Sequence, residues 1–365
     1  MKFQLDKNGH RLLEAIFETN ALSMEASNLL STFLTDHYAD IDDKRMNRFR
    51  YELSLSPEQA YYQAMLSVLD IDPEDEELRR IEKAGALCEA RRLKPSTFRE
   101  NPYLRAILIQ EKRVGKWHLT KNYYAPYEGF LYDQTRADPE RNFLSVDRLG
   151  YFNEKVDYPL VEERNHVWMS VTPYEINTMA PAIERACGDV LALGLGLGYF
   201  PFMALRKKAV ANVTVIEKDP KVVALFKEMI LPQFPNKNIR IVLGDAFAYL
   251  DKNGSKFDYV FADVHSTPED GLLPYRRFLS WKKKNLSVKA DFWIEDSILV
   301  YFRRILIELM EEESTNEYER AEDAIGLLMD KLHHKFRDLV LQSSEDILKL
   351  LDDDSLKKIL AEIEN

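Results

Sequence analysis

The sequence predicts an α/β protein with a mostly parallel sheet and helices on both of its faces. Three observations lead there. From Val190 onward, short apolar runs rich in β-branched residues alternate with helical patterns. A glycine-rich turn follows the first of those runs directly, and on both sides of this region apolar residues recur at three- and four-residue spacing. The alternating runs are VLALGL, YFPFMALRKKA, VTVIE, PKVVALFKEMI, IRIVLG, FDYVFAD, LLPYRRFLSWKK, FWIED and SILVYFRRILIELM.

A chain of 365 residues exceeds what one hydrophobic core usually organises, and the pattern divides it into four parts. Residues 1–114 read as a helical N-terminal module, with Leu12, Ile16, Leu22, Leu29, Leu30 and Phe33 at helical spacing and Pro57 and Pro73 opening helices. Residues 115–165 read as a β-rich hairpin segment, because short aromatic runs there are broken by Gly, Pro, Asn and Asp. Residues 166–312 carry the sheet, and residues 313–365 form a C-terminal helical extension. In that extension Ala321, Ile325, Leu328, Leu332, Phe336 and Leu339 trace one apolar stripe, and Leu356, Ile359, Leu360 and Ile363 trace another. These tail helices are expected either to cover the sheet or to form a homodimer contact.

Composition narrows the function. A formal net charge of -11 opposes binding to a phosphate backbone, and the basic pieces RRLKPSTFR, LRKKAV and WKKKN are short and scattered, so no nucleic-acid partner is expected. Cys88 and Cys187 have no CxxC partner, so neither a disulfide framework nor a metal site is expected. The N-terminus lacks an apolar stretch of signal-peptide length, and no run of about 18 apolar residues occurs. The expected location is the cytoplasm, with no membrane contact.

The strand VLAL runs into Gly194-Leu195-Gly196-Leu197-Gly198, where glycines let the backbone turn sharply, expose its N–H groups and admit a ligand closely. The dinucleotide fingerprint requires a third small residue, but Tyr199 or Pro201 stands there, which disfavours NAD. The next strand ends in Glu217, a carboxylate placed to accept from both hydroxyls of a ribose. Asp219, before Pro220, reads as a helix cap. The third strand ends in Gly244-Asp245-Ala246, where Asp245 is either an acceptor for an adenine amino group or the cap of the helix AFAYL. The fourth delivers Asp263 and His265 to the carboxyl edge, where ligands bind in open α/β sheets.

The order of glycine loop, acid after strand two, Gly-Asp-Ala after strand three and acid after strand four resembles the class I S-adenosylmethionine-dependent methyltransferases, a Rossmann-like fold, over roughly residues 173 to 300. The resemblance implies that S-adenosyl-L-methionine is the cofactor. Gly194, Gly196 and Gly198 would line its methionine part, Glu217 its ribose, and Asp245 with Ala246 its adenine. Thr172 before Pro173 would cap the helix ahead of the first strand. Within that superfamily the aminopropyltransferases, such as spermidine synthase, are the nearest branch. Their loop pattern GGGDG carries an acid where Leu197 stands, and their Asp-Ser/Thr-Asp-Pro motif appears only loosely as Asp263-Val264-His265-Ser266-Thr267-Pro268. The antiparallel strand pair that usually ends a methyltransferase sheet has no counterpart beyond Leu309.

The expected function is methyl transfer to a nitrogen or oxygen nucleophile of a small-molecule acceptor, with Asp263 or His265 as general base. Aminopropyl transfer, or ligand sensing without catalysis, are the alternatives. Tyr174, Glu175 and Tyr275 are candidate wall residues for the acceptor. The loop from Asp263 to Asp270, with Pro268 and Gly271 read as a shaped turn, and the segment Val167 to Glu175 are expected to form that wall together.

Overall fold

The computed structural model describes residues 1–164, 166–315, 317 and 323–363. Its centre is a five-stranded sheet of β1 (Gly188–Leu193), β2 (Val210–Glu217), β3 (Ile239–Leu243), β4 (Tyr259–Ala262) and β5 (Lys289–Phe292) in the order β3-β2-β1-β4-β5. Every pairing is parallel. The chain reverses its direction of travel across the sheet between β1 and β4, the kind of switch point at which such sheets open a crevice. In the middle strands β1 and β4, Val190 to Leu193 and Tyr259 to Ala262 are all buried, as continuous apolar strands covered on both faces must be.

The helices are α1 (Pro173–Arg185) ahead of β1, then α2 (Tyr199–Leu205), α3 (Pro220–Leu225), α4 (Ala246–Asn253), α5 (Pro268–Lys284) and α6 (Glu295–Thr315) in sequence with the strands. Sequence-local chemistry sets their starts. Pro occupies the first turn of α1, α3 and α5, and Asp219 accepts from the backbone of Lys221 at 2.8 Å. After β5 the chain enters α6, and among the described residues the sheet gains no further strand.

The β-rich region is nested, not a succession of adjacent hairpins. Gly129–Asp138 pairs with Leu144–Tyr151, and this inner hairpin lies within an outer antiparallel pair, Trp117–Tyr124 with Val156–Glu163. Lys112–Val114 adds to one edge of the outer pair and His166–Ser170 to the other, so strand structure runs past residue 165 to the cap of α1.

Both ends of the chain meet. Lys2–Phe3 pairs in parallel with Val340–Leu341, and the long helix Lys7–Thr32 packs on α6 and on Ser344–Leu351. The tail helices Ala324–Phe336 and Asp353–Glu362 lie on α5 and α6, not on the sheet. Leu332, Phe336, Leu356, Ile359, Leu360 and Ile363 are buried there, so these helices cover α5 and α6 where the stripes predict the sheet or a dimer partner, while Ile325, Leu328 and Leu339 are half-buried; Ala321 lies outside the described residues. Buried Arg303 of α6 fixes this docking by donating to the carbonyl of Leu351 at 2.8 Å. No helix among the described residues is long and apolar enough to cross a membrane. Nor do three or more metal-ligating side chains gather among them.

Candidate active site at the carboxyl edge of the sheet

Leu193 of β1 lies opposite both Ile216 of β2 and Ala262 of β4, so the three strands end level. The backbone ladder continues one step further. Gly194 N–H donates to Ile216 O at 2.9 Å, Asp263 N–H to Leu193 O at 2.8 Å and Gly244 N–H to Glu217 O at 2.9 Å. The glycine loop, Glu217 and Asp263 are thereby held side by side on one edge.

Gly194, Gly196 and Gly198 have φ of 95°, 53° and 76°, the left-handed region that glycine tolerates best. A Cβ at Gly198 would lie 2.3 Å from the Phe226 ring, whereas one at Gly196 would meet nothing within 4 Å. Gly198 thus serves packing, and Gly196 borders open space. The loop is braced by residues well ahead of the sheet in sequence, since the buried Tyr103 hydroxyl donates to the Leu197 carbonyl and Asn101 Nδ2 donates to the Tyr199 hydroxyl at 3.1 Å.

Glu217 is held at both oxygens, accepting from Leu195 N–H at 3.2 Å and from Asp219 N–H at 2.9 Å. Asp219 in turn accepts from Trp117 Nε1 at 2.9 Å. Burial alone would raise the Asp219 pKa, but these bonds and those from Lys221 and Val222 outweigh it and hold the carboxyl below its usual range. Asp245 is exposed and accepts from Ala248 N–H at 2.7 Å, so the capping alternative is realised through one oxygen. Ala246 opens α4 beside it.

Beside the glycine loop lies a cleft of about 270 Å³, which Gly194, Gly196 and Asp263 line and Gly198, Glu217, Asp245 and Ala246 do not. Its walls are His166 to Ser170 and Glu175 on one side, Gly194 to Leu197 with Tyr199 on another, and Asp263, His265, Ser266 and Trp293 at the end of β4 and β5. Asp263 is densely surrounded; burial, with Glu175 and Glu217 adding like charge, raises its pKa to about 7. Glu175 accepts from Ser170 Oγ at 2.7 Å and from Thr172 N–H at 2.9 Å, so it caps α1 and faces the cleft at once. His265 stacks on Phe292 with ring centroids 4.9 Å apart. Burial lowers its pKa to about 4, opposed by Asp270 and the Trp293 backbone, so the imidazole is neutral near pH 7.

Three expectations need correction. Tyr275 is fully buried inside α5 with its hydroxyl on Glu295, because the helical phase turns it inward; it does not reach the cleft. Tyr174 stands behind the cleft wall, edge-on to Trp293 at 6.1 Å, and so supports that wall without lining it. Pro268 and Gly271 belong to α5, where Thr267 and Asp270 form a capping box; Gly271 is needed because a Cβ there would come 2.4 Å from His265 Cδ2. Trp293 belongs to no sequence motif, but its position one residue past β5 places it at the same edge as Asp263. Its indole N–H donates to Thr178 Oγ1 at 2.9 Å.

Residues 177–300 match the family model of the spermine/spermidine synthase domain. The resemblance to the class I S-adenosylmethionine-dependent superfamily, with a spermidine synthase-like branch, holds over that span, which begins inside α1 and ends inside α6. Among solved structures, a spermidine synthase from Thermotoga maritima is 15% identical over 48% of this chain and 70% of its own, with a TM-score of 0.29. A methyltransferase of Podospora anserina, PaMTH1, bound to SAH, is 16% identical over 44% of this chain and 67% of its own, with a TM-score of 0.28. MNMC2 from Aquifex aeolicus is 17% identical over 68% of this chain and 76% of its own, with a TM-score of 0.27. Overlaps this shallow say nothing about substrate or reaction. No curated protein is detectably similar in sequence.

Proposed function

We propose that the cleft binds S-adenosyl-L-methionine and that the protein transfers its methyl group to a nitrogen or oxygen nucleophile of a small molecule. The observation that carries this reading is the juxtaposition of the open Gly196 turn with Asp263, whose carboxyl is held near neutrality. Bound S-adenosylmethionine supplies an electrophilic methyl carbon on a sulfonium. Gly194 and Gly196 would present backbone to its amino-acid part, and Glu217, Asp245 and Ala246, on the same sheet edge beyond the cleft wall, would hold the ribose and adenine. In the transfer so proposed, the nucleophile's lone pair would form the new bond to the methyl carbon while the carbon–sulfur bond broke and its electrons stayed on sulfur. The proton released from the nucleophile passes to Asp263, which is suited to receive it at neutral pH. His265, neutral and stacked, shapes the wall. Most of the rate enhancement then comes from alignment and from excluding water.

Aminopropyl transfer is the second reading, favoured by the matched domain and by the carboxylates Glu175 and Asp263 in one cleft, which suit an amine acceptor. Against it, Leu197 is buried where those enzymes carry an acid. Isothermal titration with S-adenosylmethionine and with its decarboxylated form separates the two. The methyl-transfer reading requires the former to bind more tightly, and Glu217→Ala to weaken it by roughly 10-fold or more through lost charge-assisted hydrogen bonds. Preference for the decarboxylated compound, or spermidine formation from putrescine, reverses the ranking. Binding of either without turnover of any amine or hydroxyl acceptor would leave a sensor.

A further inference from the structure

Strand His166–Ser170 is the outer edge of its sheet, and all five of its residues border the cleft. Its pairing with Val156–Glu163 is interrupted. Met169 lies opposite Val161 and Val167 opposite Glu162, which leaves Trp168 as an extra, unpaired residue. A bulge of this kind re-aims a side chain and occurs preferentially at sheet edges beside active sites. Trp168 is 46% exposed, a large cost for an indole unless something covers it. Its ring packs at a tilt against Trp117, with centroids 5.2 Å apart and planes 49° apart. Trp117 is buried and anchored through its indole N–H to Asp219 at 2.9 Å, and the Asp219 backbone N–H donates to Glu217 at 2.9 Å. A continuous set of contacts therefore runs from the carboxylate at the end of β2 to the indole at the cleft rim.

Resting on the nucleotide reading above, we propose that Trp168 is a specificity residue whose π-face meets the sulfonium of the bound nucleotide, and that Trp117 and Asp219 are positioning residues for it. The chemistry follows from the location. Trp168 shares a cleft with the Gly194 to Leu197 turn that receives the amino-acid end, and sulfur joins that end to the ribose held by Glu217. An aromatic face attracts a cation more strongly than it attracts a neutral thioether at the same place. The site therefore distinguishes S-adenosylmethionine from S-adenosylhomocysteine, holding the charged reactant and releasing the neutral product.

The test is isothermal titration of both compounds into the full chain and its variants. Trp168→Ala should lower affinity for S-adenosylmethionine about fivefold more than affinity for S-adenosylhomocysteine, and Trp168→Phe should recover most of that difference. Asp219→Asn keeps a helix cap but removes the acceptor of the Trp117 N–H, and should narrow the preference about twofold. Equal losses for the two compounds, or no loss, in Trp168→Ala overturns the proposal while leaving the nucleotide reading intact. An unchanged preference in Asp219→Asn overturns the positioning role. Failure of the unmodified protein to bind either compound overturns both the nucleotide reading and this inference.

Discussion

Gly194 and Asp263 meet backbone to backbone: a Cβ on Gly194 would stand 1.9 Å from the Asp263 carbonyl oxygen. The first turn of the glycine loop and the carboxylate opposite it are therefore placed by one contact, and Gly194→Ala must displace one of them. We expect that variant to lose at least about 1–3 kcal/mol of stability, from strain at positive φ together with the clash. Gly196→Ala, at positive φ but facing open space, should cost only the backbone strain of about 1–2 kcal/mol, less than Gly194→Ala with its added clash, yet still obstruct the nucleotide. Thermal unfolding and nucleotide titration on the two variants separate these effects. Similar unfolding temperatures for both would contradict the assignment.

Asp263 gives the pH dependence a sign. Its folded-state pKa is raised to about 7 by burial and by Glu175 and Glu217, so the folded protein holds this proton more tightly than the unfolded chain. The stabilisation is complete below the unfolded carboxyl pKa and is lost as pH rises through about 7. Asp263→Asn removes the repulsion of the ionised form. It should raise the unfolding temperature by several degrees at pH 8, the rise from 3.8 to about 7 being worth up to about 4 kcal/mol, and leave it nearly unchanged at pH 4. Turnover should show the opposite need. Its rate should rise with pH through the neutral region in the unmodified protein and be lost in Asp263→Asn. A variant that keeps full turnover would remove Asp263 from the proton path.

Local signals made the sheet and its edge legible. Strand periodicity, the glycine turn and the acids closing each strand are all encoded within a few residues, and Gly194, Glu217 and Asp263 share an edge because parallel strands align their ends. Other features depend on contacts far apart in sequence. Tyr275 looked available from its neighbours, but its place on α5 is decided by which helical face meets Glu295 and α6. Gly271 reads as a turn glycine because nothing local reveals His265 above it. The nesting of Gly129–Asp138 inside Trp117–Tyr124, and the docking of the tail on α5 and α6, likewise follow from tertiary packing that periodicity does not specify.

Gly271 offers a test in which helix propensity and packing oppose each other. It lies in the second turn of α5, where Ala would ordinarily stabilise by about 1 kcal/mol. Here the added methyl would stand 2.4 Å from His265 Cδ2, and the imidazole is held against Phe292 at 4.9 Å. Gly271→Ala should therefore destabilise, and should shift His265 toward the cleft with a loss of nucleotide affinity. The double variant Gly271→Ala with His265→Ala should recover the stability expected from propensity. A stabilised single variant would show that His265 is free to move.

Tyr103 tests whether the chain ahead of the sheet supports the glycine loop or merely adjoins it. Its hydroxyl is buried and donates to the carbonyl of Leu197, in the middle of the glycine turn, while its ring packs edge-on to Phe202 at 5.3 Å and Tyr199 at 5.5 Å. Burial pushes the phenol pKa far up, so the hydroxyl remains a donor across the accessible pH range. Tyr103→Phe keeps the ring and removes only that donor, leaving a buried carbonyl short of a partner at a cost of about 1–3 kcal/mol. Because the orphaned carbonyl belongs to the turn, the effect should extend beyond stability. Nucleotide affinity should fall severalfold, and amide exchange should quicken at Leu195 to Gly198. If the unfolding temperature drops while affinity and loop exchange stay unchanged, the hydrogen bond stabilises the module interface alone, and the loop keeps its shape through its glycines and Glu217.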